Sequence, residues 1–194
     1  KGQARHNVSN AMHAIGASYL AGVSEEQIRA AMSAFAMSIE NTPGRLNFHG
    51  GLPFTVVMDF VQNLDGARSF SEFLQNLETP GRRILVMSAL GRHTDDYISR
   101  MVAEVAGHFD HYVCKNFKTL FGRKPGEVPA MLQRFLQEQG VETSAITVIE
   151  DEFEGITAAL EMAREGDLVG IMCGIRMKEI WELIGRFAGP PTLH

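Results

Sequence analysis

Cysteine is scarce in this 194-residue chain: only Cys114 and Cys173 occur, each inside an apolar run. A disulfide framework is not indicated, and buried reduced thiols are the expectation. Basic residues are not in excess either. Eighteen Lys and Arg stand against 23 Asp and Glu, a net charge of −5. Without a Lys/Arg cluster interleaved with aromatics, no nucleic-acid partner is expected. No apolar run approaches the ~20 residues that span a bilayer, and no signal peptide is recognisable. No membrane partner and a cytoplasmic location follow as expectations. Neither G-x-x-x-x-G-K-[ST] nor G-x-G-x-x-G occurs, so a phosphate loop serving this chain would lie outside it. C-x-x-C and H-E-x-x-H are missing too, and no metal site is expected. No Ser occupies a G-x-S-x-G elbow. The chain opens on Lys1 rather than Met, which points to a piece of a longer polypeptide.

What is present is an ordinary globular composition, 45% hydrophobic and 21% charged. Residues 1–36 read as two helices. Asn7 or Ser9 can open the first and Gly22 stops it; Ser24 to Gln27 has the form of a capping box for the second. Asn41-Thr-Pro-Gly44 breaks the pattern, and a domain boundary is expected there, giving domains 1–42 and 43–194. Leu46–His49 and Leu52–Phe60 read as a hairpin joined by Gly50-Gly51. Thr55 to Met58 has the unbroken apolar pattern of a strand covered on both faces. Asp65 can cap the helix that follows, with Phe70, Phe73, Leu74 and Leu77 on one face. Strand and helix then alternate. Strands are expected at 84–89, 111–115, 146–149 and 168–173. Helices are expected at 95–109, 126–139, 152–164 and 177–187. The implied fold class is α/β: a mostly parallel sheet of about six strands with one antiparallel edge strand, helices on both faces, and a small helical segment in front. The tail from Gly189 is expected to be loose.

In such a sheet the carboxyl ends of the strands share one rim. It would hold Asp59, Gln62, Asn63, residues 88–96, 115–123, Glu150-Asp151 and 174–176. A mixed-charge rim over an apolar sheet suits a nucleotide or a charged small molecule. Gly122-Arg-Lys-Pro-Gly-Glu127 offers two adjacent cations on a Gly-rich turn. Arg123 has the geometry to hold a carboxylate or phosphate in bidentate fashion. A solvated turn before a helix explains the same residues. Gly91-Arg-His-Thr-Asp-Asp96 is open to the same two readings: anion contacts from Arg92, or a loop capped by Thr94 or Asp95.

Taken together, these stretches resemble the Mur ligases. Arg5-His-Asn-Val-Ser-Asn10 resembles the end of their central ATPase domain, and Pro43-Gly-Arg-Leu46 the start of their C-terminal domain. Asp59-Phe-Val-Gln-Asn-Leu-Asp-Gly66 is similar to their Asp-Tyr-Ala-His-Asn-Pro-Asp-Gly, with Gln62 for His and Leu64 for Pro. Gly122 to Glu127 resembles the Arg-Gly-Arg-x-x-Gly-Glu loop of cyanophycin synthetases. Asn116-Phe-Lys118 stands where those enzymes tend to be acidic. The resemblance implies a Rossmann-like C-terminal part of an ATP-dependent amide ligase, in which a carboxylate is phosphorylated and an amine attacks the acyl phosphate. It implies ATP as cofactor, with Mg2+ bound mainly by a central domain outside the chain. It places Asn10 at the adenine, Arg45 at the phosphates and Asp59 at the ribose, with Asn63 beside the nucleotide. Arg92, Lys115, Arg123 and Lys124 would hold a small amino-acid or peptide substrate. Two alternatives remain: a peptidoglycan-precursor ligase, and a Mur-like binding or regulatory domain without turnover, for which Gln62 speaks. Self-association into a homo-oligomer stays open.

Overall fold

The computed structural model describes residues 5–188. The chain divides into two compact units, Lys1–Met37 and Ser38–His194. The tail from Gly189 lies outside the described residues.

The first unit is a pair of helices, α1 (Arg5–Leu20) and α2 (Glu25–Ala34). Helix α1 already runs through Asn7 and Ser9, so neither opens it. The capping box at α2 forms as expected. The Gln27 N–H donates to Ser24 Oγ at 3.3 Å, and the Ser24 N–H donates to Gln27 Oε1 at 3.2 Å. None of the unit's described residues is buried, and Met12, Tyr19, Leu20 and Phe35 are exposed. Two helices without a shared core cannot offset their own chain entropy.

The second unit is an open six-stranded sheet in the order β1-β2-β6-β3-β4-β5. Its strands are β1 (Asn47–His49), β2 (Thr55–Asp59), β3 (Arg83–Met87), β4 (His111–Cys114), β5 (Ile146–Val148) and β6 (Leu168–Met172). Only β1 runs antiparallel, pairing Asn47 with Met58 and His49 with Val56; the other pairings are parallel. The expected two-residue hairpin loop is longer. Leu52, Pro53 and Phe54 stay outside β2, since Pro53 has no N–H for a ladder and Phe54 is buried in the core.

Helices α3 (Leu64–Gln75), α4 (Asp95–Ala103) and α5 (Glu127–Glu138) follow β2, β3 and β4. Helices α6 (Glu152–Met162) and α7 (Met177–Phe187) follow β5 and β6. From β2 to β5 the chain steps outward; the β5–α6–β6 connection steps back. With one crossover hand, that reversal puts α6 on the opposite face. The packing agrees. Val56, Met58, Val86 and Ile171 join residues of α6 and α7 in one cluster. Gly170, which alternates with them, faces Leu74 of α3 so closely that any Cβ would collide with it. Every residue of β6 is buried, as a central parallel strand requires.

Helix α3 corrects one expectation. Its cap is Asn63, whose Oδ1 accepts the Gly66 N–H at 2.7 Å. Asp65 instead lies in the first turn, where its charge favours the helix dipole.

Candidate functional site

The parallel strands end together, so their carboxyl-terminal loops form one rim. At its β2 side the Pro43–Leu46 turn is bound to the end of the strand. Asn47, 3% exposed, accepts the Gly44 N–H at 2.6 Å, and the Phe60 N–H donates to the Gly44 carbonyl at 2.7 Å. Leu46 is held at a φ of +47°, uncommon for a bulky side chain, and its N–H donates to Asp59 Oδ2 at 2.8 Å. Such strain costs roughly 1–3 kcal/mol and collects at functional sites. The turn leaves Arg45 exposed beside Asp59. Burial raises the Asp59 carboxyl to about 6, while the Leu46 N–H and the Arg45 charge pull it back down.

Three clefts open along the same rim, of about 300, 120 and 560 Å³. Lys118 borders all three, and Arg176 borders two. Arg92 borders the smallest, with its guanidinium 5.4 Å from the centre of the half-exposed Phe121 ring. Phe121, at φ +50°, is the other strained non-glycine residue among those described. Gln62 borders this cleft as well, and the His93 ring nitrogen lies 3.1 Å from its carbonyl. Phe117 borders the two smaller clefts and packs against Gly174.

Three residues expected at the substrate or nucleotide have other partners. Lys115 is fully buried and ion-paired with Glu152 at 2.9 Å, beneath the Phe117 ring. Desolvation draws its pKa below the usual lysine range, with Glu152 opposing. Arg123 is a clamp between loops. Its guanidinium donates to the Gly91 and His93 carbonyls and to the carboxylates of Asp95 and Glu127. The Asn63 carboxamide oxygen caps α3. The Lys124 side chain borders none of the three clefts, although its N–H donates to Glu127. Asn10 is an exposed residue of α1 in the helical unit. Phe117, Lys118 and Arg176 lie within the stretches 115–123 and 174–176 expected on the rim but were not singled out, and Glu152 was expected only as the start of a helix. Their signal was position: each lies in the loop after a strand's carboxyl end or begins the next helix.

Residues 44–174 match the family model described as Mur ligase, glutamate ligase domain. The chain belongs to the Mur ligase family. A cyanophycin synthetase of Trichormus variabilis is 29% identical to this Mur ligase chain over 174 residues, which cover 88% of the chain and 19% of that protein. A UDP-N-acetylmuramoyl-L-alanyl-D-glutamate–2,6-diaminopimelate ligase of Halalkalibacterium halodurans is 24% identical over 168 residues, 86% of the chain and 32% of its own length. The chain thus spans about a fifth of the cyanophycin synthetases that it matches. Among solved structures, MurF from Acinetobacter baumannii has a TM-score of 0.65 at 17% identity, covering 95% of this chain and 38% of that one. E. coli FolC in complex with DHPP and ADP has a TM-score of 0.64 at 19% identity, covering 84% and 35%. At those identities the likeness is one of fold. Among the described residues, no three His, Cys, Asp or Glu side chains gather as a metal site, and no helix is long and apolar enough to cross a membrane.

Proposed function

We propose that this chain is the C-terminal part of an ATP-dependent carboxylate–amine ligase of the cyanophycin synthetase type. The observation that carries the reading is that Arg45 lies close enough to Asp59 for its charge to act on that carboxyl at the lip of the sheet, next to clefts bordered by Arg92 and Lys118. Arg45 is a permanent, exposed cation suited to phosphate oxygens. Asp59 has one carboxylate oxygen on the Leu46 N–H, and the other suits the hydroxyls of a ribose. Asn10 would meet the adenine from the helical unit, taken with residues up to 42 as the end of the ATP-binding central domain. Magnesium, held by phosphate oxygens and that central domain, would supply charge neutralisation.

The chemistry transfers the terminal phosphoryl group of ATP to a carboxylate, releasing ADP. An amine then attacks the acyl carbon; the amide bond forms, phosphate leaves and the amine loses its proton. The part of the present residues is to bind, to orient and to exclude water by domain closure. Arg92, beside Phe121, is the candidate for a carboxylate of the amino-acid or peptide substrate. Arg123 acts one step removed, holding the Arg92 loop. The cytoplasm is the setting in which ATP would be supplied.

In the full-length polypeptide, Arg45→Ala and Asp59→Ala are each expected to weaken ATP use more than tenfold, measured as ADP release. That is the size of a lost charge-assisted contact, about 1.5–3 kcal/mol. Unchanged kinetics in both variants would remove the proposed nucleotide lip. A second reading, a binding domain without turnover, draws on Gln62, which can hydrogen-bond but cannot titrate. ADP release that depends on an added amine rules that reading out.

A further inference from the structure

Lys118 borders all three clefts, and in two of them the unpaired fixed charge is positive. In the smallest cleft Arg92 is the second cation, and the one carboxylate, Glu152, is held from beneath by Lys115. In the largest, Arg176 and Lys178 join Lys118, and the one carboxylate, Glu179, is bound by Arg176 at 2.5 Å. In the third, Asp151 accepts the Phe153 and Glu154 N–H groups, and Glu152 is again the Lys115 partner. Glu150 and Asp151 there have no ion-pair partner among the described residues, so this cleft carries unpaired carboxylates beside Lys118 and Arg176. Lys118 and Arg92 likewise form no ion pair among them. Both are exposed cations, and they border apolar walls that include Phe60, Phe117 and Ile175. Cations of this kind attract an anion and repel a second cation.

We propose that Lys118 is the specificity-determining residue for the amine-bearing substrate, binding a carboxylate on its side chain and rejecting a cationic side chain. The inference rests on the ligase reading above. A polyphosphate oxygen offers the same anion chemistry, since Pro43 and Phe60 of the nucleotide lip border clefts that Lys118 also borders. The test therefore follows both ligands.

The experiment uses the full-length polypeptide with a non-hydrolysable ATP analogue. L-Aspartate, L-glutamate, L-arginine and L-lysine are titrated calorimetrically in turn. The expected result is that aspartate or glutamate binds at least tenfold tighter than arginine and lysine. Lys118→Met should abolish most of that preference, and Lys118→Glu should reverse it, with the Kd of the analogue unchanged within twofold. A general loss of structure would weaken all ligands alike and would not reverse their order. Tighter binding of arginine or lysine by the wild type, or no binding of any of the four, overturns the proposal alone. So does an effect of both Lys118 variants confined to the analogue, which assigns Lys118 to phosphate. Failure of the wild type to bind the analogue overturns the ligase reading and the proposal with it.

Discussion

Lys115→Met strands a carboxylate. In the wild type the ammonium lies 2.9 Å from Glu152, with side-chain exposures of 0% and 4%. Glu152 is almost wholly buried, and methionine offers it no donor. Removing one member of such a pair costs about 3–5 kcal/mol. That is about a fifth or more of the 5–15 kcal/mol that typically holds a domain together. The effect has a pH signature. A buried carboxylate without a cation is favoured in its neutral form, so the variant's deficit grows as the pH rises above the ordinary carboxylate range and shrinks below it. Urea unfolding of the 194-residue polypeptide, followed by circular dichroism at pH 5 and pH 8, measures both. The double variant Lys115→Met/Glu152→Leu should regain most of the loss, because neither charge is then left buried. A deficit under 1 kcal/mol at pH 8, or a larger deficit at pH 5, would refute the reasoning.

Other outcomes follow from the rim. Asp59 is raised from 3.8 to about 6, so its contribution to stability is complete below its unfolded pKa and is lost as the pH climbs through about 6. Asp59→Asn, which can still accept the Leu46 N–H, should be more stable than wild type at pH 7.5 but not at pH 4; thermal melts at both values decide it. Arg123→Lys cannot reproduce a fork that reaches two carbonyls and two carboxylates. Amide exchange in residues 88–94 and 117–122 should quicken by tenfold or more, and unaltered protection there would show that the clamp is dispensable.

Much of the fold could be read from the sequence because buried parallel strands are short apolar runs between charged turns. Val56 to Met58, Ile84 to Met87 and Leu168 to Met172 stand out in this way. The expected bounds of α7 coincide with the observed ones, from Met177 to Phe187. What could not be read was the order of strands: β2, β3 and β6 have interchangeable patterns, and nothing local says that β6 enters between the other two. The cap of α3 was ambiguous because Asn63 and Asp65 both have the chemistry; backbone geometry selects Asn63. At the site, loop membership was legible and side-chain direction was not. Lys115 reads as a rim cation until Glu152, 37 residues later, is found paired with it. Arg123 reads as an anion ligand until Asp95, 28 residues earlier, occupies it.

The position of β6 also governs how the sheet is made. Until residues 168–172 leave the ribosome, the hairpin β1–β2 and the ribbon β3–β4–β5 have no ladder joining them. Between the emergence of β5 and that of β6 the nascent chain carries two half-sheets with open inner edges. The last strand closes them in one step, which makes assembly dependent on distant pairings and leaves truncated products prone to sticking together.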